Sequence, residues 1–88
     1  MKIKEGFVLR EVMGQTVVVP IGENSKKFHG MIKMNKTGAD IWKGVEEGLS
    51  ENEIAQRLVE KYSEVDMEVA LRGTRKIIAK MKEAGIIE

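Results

Sequence analysis

The run Gly30 to Trp42, GMIKMNKTGADIW, leaves little freedom to any fold that contains it. Met31 to Met34 alternates as a pleated strand does, with Ile32 and Met34 on one side and Met31 and Lys33 on the other. Asn35 follows directly. Its side chain can accept a hydrogen bond from a free N–H of a first helical turn, which makes Asn a strong N-cap. A strand and a helix are thus joined with no linker, as a rigid corner. Ala39, Ile41, Trp42 and Val45 then fall near one side of the helix, and the single tryptophan is expected to anchor the core.

The rest of the chain supplies elements for that corner to hold together. Phe7 to Met13 and Thr16 to Ile21 are rich in β-formers and predict a hairpin around Gly14-Gln15, with Gly14 first in a type II′ turn. That register sets Pro20 opposite Leu9 at a hydrogen-bonded position, where proline has no N–H to give, so the ladder is expected to end near Val19. Gly22 to Gly30 has no periodicity and reads as a mobile polar loop, with Phe28 pinning one end and His29 solvated. Beyond the corner, Gly48 closes the first helix, and Ser50-Glu51-Asn52-Glu53 forms a capping box for a second that carries Ile54, Ala55, Leu58, Val59 and Tyr62. Asp66 caps a third and longest helix, reaching about Ala84, with Ala70, Thr74, Ile77, Ile78 and Met81 inward. Gly85 stops it, and Ile86 folds back on Met81, which places Ile86-Ile87 in the core. The six methionines are expected mostly at core-facing positions. Three antiparallel strands followed by three helices predict a winged-helix-like α+β fold, a single domain over residues 1–88.

Composition narrows the function classes. Fifteen basic residues against 14 acidic give a net charge of +1, too little for a broad positive field that would hold nucleic acid. There is no cysteine, and a lone His29 cannot assemble a metal site, so no metal or other cofactor is expected. The carboxylates are scattered over helix surfaces or used as caps, with no pairing that suggests a catalytic site, and the chain is not expected to be an enzyme. No apolar run approaches a membrane span and MKIKEGF lacks a secretory h-region, so a cytoplasmic protein without membrane contact is expected.

The third strand is the informative feature. In a three-stranded meander it pairs on one side and leaves the other open, and Lys33 on it is compatible both with discouraging aggregation and with receiving an extended peptide as a further strand. The third helix offers a second wall, with Arg72, Lys76 and Lys80 in one stripe and Val69 and Gly73 beside them. Gly73 in mid-helix costs about 1 kcal/mol relative to Ala, which close approach of another backbone would explain.

The segment Asn35 to Trp42, N-x-T-G-x-x-I-W, with the S-x-x-E helix start at Ser50 and the Ala84-Gly85-Ile86-Ile87 ending, resembles the PqqD family of small peptide-binding proteins over roughly Phe7 to Ile87. The resemblance implies a peptide chaperone, or RiPP recognition element, that binds the leader of a ribosomally made precursor peptide and presents it to a modifying enzyme, commonly a radical SAM enzyme. The naming member acts in the biosynthesis of pyrroloquinoline quinone (PQQ). The resemblance also implies that the leader docks as a strand in the groove between the third strand and third helix, which here are Met31, Ile32, Lys33 and Met34, and Val69, Arg72, Gly73, Lys76 and Lys80. The leader is expected to alternate acidic and apolar residues, and the protein to be a monomer or homodimer. The alternative is a winged-helix DNA-binding transcriptional regulator, with the third helix in the major groove and Met13 to Thr16 as the wing, although Asp66 and Glu68 would then oppose phosphate. A third possibility is self-association through the open edge.

Overall fold

The structure, a computed structural model, describes residues 2–22 and 32–87. Met31 and residues 23–30 of the segment read as a polar loop, Phe28 and His29 among them, lie outside the described residues. Among the described residues the order is β1 (Phe7–Val12), β2 (Gln15–Pro20), β3 (Ile32–Met34), α1 (Lys36–Glu46), α2 (Glu51–Lys61) and α3 (Met67–Glu83). The strands form one antiparallel sheet in the order β1-β2-β3, as the sequence predicts.

The hairpin differs from expectation in its turn. Val12 pairs with Gln15, so the two-residue loop is Met13-Gly14, and both have positive φ (51° and 80°), the signature of a type I′ turn. The register moves by two residues and the ladder continues to Pro20, opposite Phe7. Two effects favour this pairing. Leu9 meets Val18 and Val8 meets Val19, whereas the type II′ register would set Val18 against Glu11. Ile21 N–H donates to Gly6 O at 2.7 Å, so the pairs bonded between β1 and β2 are those of Ile21, Val19, Val17 and Gln15; Pro20 falls between them and owes β1 no donor. The cost is Met13, a non-glycine residue in left-handed backbone and 98% exposed. Met13→Asn keeps the turn with a residue that tolerates this conformation, and is expected to stabilise the domain by about 0.5 to 1 kcal/mol, read as a higher Tm.

A shift of two leaves every side chain on its face. Phe7, Leu9, Val18 and Met34 therefore lie on one side of the sheet and pack against the helices. From α1 that core receives Ile41, Trp42 and Val45, and from α2 it receives Ile54, Ala55 and Leu58. Gly44 lets these two helices approach closely, since a Cβ there would stand 2.7 Å from Ile54 Cγ1. The capping box is formed, with Glu53 N–H donating to Ser50 Oγ and Ser50 N–H to Glu53 Oε1. Asp66 caps α3 by accepting from Val69 N–H.

At the end of α3, Gly85 N–H donates to Lys82 O and Ile86 N–H to Met81 O, the paired bonds of a Schellman motif, and Ile86 is fully buried. Ile87 forms an antiparallel bridge with Ile3. Methionine usage departs from expectation: Met81 is buried, but Met13 and Met67 are exposed, because one tops a turn and the other opens a helix. Trp42 Nε1 and Thr74 Oγ1 are buried without a hydrogen-bond partner among the described residues. Thr74→Val keeps the shape and removes the orphaned hydroxyl, and is expected to raise stability by about 1 kcal/mol in a denaturant titration.

Candidate functional site: an open strand edge beside a helical groove

The corner explains the motif residue by residue. Asn35 Oδ1 accepts from Gly38 N–H at 2.8 Å and from the Thr37 hydroxyl at 3.0 Å, so cap and second donor lock the first turn of α1. A Cβ on Gly38 would come within 3.0 Å of Met34 Sδ and 3.1 Å of Asn35 Oδ1, which is why glycine stands where helix and strand meet. β3 is thereby fixed relative to α1.

The same alternation that frees Pro20 decides which way β3 presents its backbone. The amides of β2 that face β3 are those of Thr16 and Val18, so Met34 and Ile32, their partners, direct N–H and C=O inward to the ladder. Lys33, opposite Val17, directs its N–H and C=O outward. Nothing among the described residues pairs with that side of β3. Lys33 is thus the described backbone position on the open edge, while Ile32, 38% exposed, and Met34, half-buried, turn their side chains toward the helices.

Beside this edge runs a groove against α3, made of two adjoining cavities. The first, of about 320 Å³, lies between α3 and the start of α1 and is walled by Val69, Gly73, Ile77, Ile41, Leu58 and Tyr62. The second, of about 580 Å³, lies at the hairpin end of β3 and is bounded by Met34, Lys33, Lys36, Ile77 and Lys80. Asn35, Ile77 and Lys80 border both, so the two cavities adjoin along α3, and together they are called the channel. Tyr62 is held at its wall by a 2.6 Å hydrogen bond from its hydroxyl to Asp40 Oδ2, and Lys61 Nζ donates to Asp40 Oδ1 at 2.9 Å. Burial pushes the Asp40 carboxyl up, but these two donors outweigh it and hold the group below the usual carboxylate range.

Of the helix residues singled out from sequence, Val69, Gly73, Lys76 and Lys80 border the groove. Arg72 borders neither cavity; it is exposed and pairs with Glu68 at 3.2 Å, one turn earlier. The wall runs along Val69, Gly73, Ile77 and Lys80 with Lys76 beside it, so it takes in the basic stripe at Lys76 and Lys80 but not at Arg72. Gly73 has open space around it, with nothing within 4 Å of an added Cβ, so the close backbone approach expected there is not made by the described chain. Ile77, Tyr62 and Val65 also line the groove and were not singled out. Ile77 carried a signal, since it lies at the margin of the inward stripe and is only half-buried.

Among the described residues, fold and site together define a small α+β domain in which the outer edge of β3 is unpaired next to an apolar helical channel. The family described as coenzyme PQQ synthesis protein D (PqqD) matches residues 15–87, and the chain belongs to that family. TbiB1, solved in complex with the TbiA(beta) leader peptide, has the same fold with a TM-score of 0.78 at 23% identity, over 100% of this chain and 95% of that chain. A lasso peptide synthetase B1 complexed with the leader peptide gives 0.79 at 22% identity, over 99% of this chain and 95% of that one. No match was found among curated proteins. The comparisons indicate no catalytic family and lend no support to the DNA-binding alternative. No helix among the described residues is long and apolar enough to cross a membrane. No group of three or more His, Cys, Asp or Glu able to hold a metal occurs among them either.

Proposed function

We propose that this domain is a non-enzymatic adaptor that captures the leader of a ribosomally made precursor peptide as a strand added to β3. It presents the remainder of that peptide to a separate modifying enzyme, of the radical SAM class as in PQQ-type pathways. The observation that carries this reading is the outward backbone of Lys33 on an open edge, set beside an apolar channel. An added strand takes its affinity from such backbone groups and its selectivity from pockets for alternate side chains. Family membership supports the reading, as do the two fold relatives solved with leader peptides.

Gly73 gains a role on this reading, as room kept for the side chain of a ligand. Gly73→Ala fits the free helix and is expected to stabilise it by about 0.5 to 1 kcal/mol. The same substitution narrows the channel, so a higher Tm accompanied by weaker peptide binding is the expected pair of results.

The direct test is an NMR titration with the short peptides encoded by neighbouring genes. Selective broadening of amides over Ile32–Met34 and Val69–Lys80 is expected; unchanged spectra with every such peptide would count against the adaptor. The rival occupant of the edge is a second copy of this chain, and the mass found by sedimentation at the same concentration separates the two.

A further inference from the structure

The two ends of the channel differ in chemistry. The end toward the start of α3 is walled by aliphatic side chains and Tyr62. The end beside the hairpin is bordered by Lys33, Lys36 and Lys80, and no aspartate or glutamate lines it among the described residues. None of these three lysines forms an ion pair with a described residue, whereas the arginines of α2 and α3 each have a carboxylate: Arg57 with Glu47, Arg72 with Glu68, Arg75 with Glu51. A chain of net charge +1 thus gathers a local positive excess, with no carboxylate partner among the described residues, at one end of one groove.

Lys80 has an ordinary explanation, because a cation in the last turns of α3 complements the helix dipole. Lys36 does not. It opens α1, whose first turn holds no acidic residue, while α2 begins with Glu51 and Glu53 and α3 with Glu68. A lysine there opposes the dipole of its own helix, and an anion held between Lys36 and Lys80 would relieve that opposition.

We infer that this end of the channel is a carboxylate-reading subsite, which takes an aspartate or glutamate side chain of the peptide added to β3. The inference rests on the strand-addition reading and adds position to it. Because the apolar end and the basic end are separated along one groove, an apolar residue and an acidic residue at a fixed spacing set the direction and register of the bound peptide. One described outward backbone position on β3 does not set either by itself.

A displayed library of random extended peptides, selected at low salt on the wild-type domain and on the K36Q/K80Q double variant, tests this. Both side chains are exposed, so the double variant is expected to fold, as circular dichroism will report. Wild-type binders are expected to enrich Asp or Glu by up to about fivefold at one position fixed relative to an apolar anchor, the size an exposed charge pair supports. The double variant is expected to keep the anchor and lose the acid. Binders without an acidic position, or the same acid selected by both proteins, would overturn the subsite and leave strand addition standing. A wild-type domain that selects no peptide would remove the adaptor reading, and the subsite with it.

Discussion

Trp42→Ala is expected to cost about 3 to 5 kcal/mol, enough to unfold much of the population of a domain this small. Trp42 is fully buried at the middle of α1, where it joins the core that the sheet, α2 and α3 share. Its indole N–H has no partner among the described residues, so what it contributes there is volume and apolar area rather than a hydrogen bond. Trp42→Phe separates these contributions: it keeps a large ring, removes the orphaned donor, and is expected to cost less than half as much as the alanine. Urea unfolding followed by far-ultraviolet circular dichroism reads both variants. An alanine variant within about 1 kcal/mol of wild type would mean that this core does not depend on its largest side chain.

Lys33→Pro is expected to weaken peptide capture by about 1 to 3 kcal/mol, roughly five- to 150-fold, with the fold intact. Proline is tolerated on an edge strand where its missing N–H faces outward, and the amide of Lys33 faces outward while those of Ile32 and Met34 serve the ladder. Ile32→Pro acts differently, because it breaks the pairing with Val18. Lys33→Ala removes the side chain and keeps the donor. The proline variant binding like the alanine one would show that the edge amide is not used, and any peptide would then have to lie in the channel without extending the sheet.

The sequence made the element types legible because each signal is local: a cap at Asn35, a box at Ser50, a stop at Gly85. The hairpin turn was not, because Gly14 fits either central position, and the choice depends on which aliphatic residues meet across the strands. Pro20 carried the clue, since a register that leaves it off the bonded pairs removes the conflict at Leu9. The faces still came out right, as a two-residue shift preserves them. On α3 the repeat of cations at Arg72, Lys76 and Lys80 drew attention to a stripe whose first member turns away to Glu68. Periodicity shows which side of a helix is apolar, but not where its margin becomes the wall of a groove. Ile77 lies on that margin. Tyr62 and Val65 reach the site only because α2 packs against α3, a tertiary fact with no signature in their own neighbourhood.

The clasp between Ile3 and Ile87, reinforced by Lys4 N–H donating to Ile86 O at 2.7 Å, brings the first and last described stretches side by side. Neither stretch borders the channel. A tether attached at the front or at the back would therefore leave the domain from the same point, and a fused cargo would swing about one pivot whichever end carried it. Joining the two ends with a short linker and cutting the chain elsewhere should likewise leave the groove as it is.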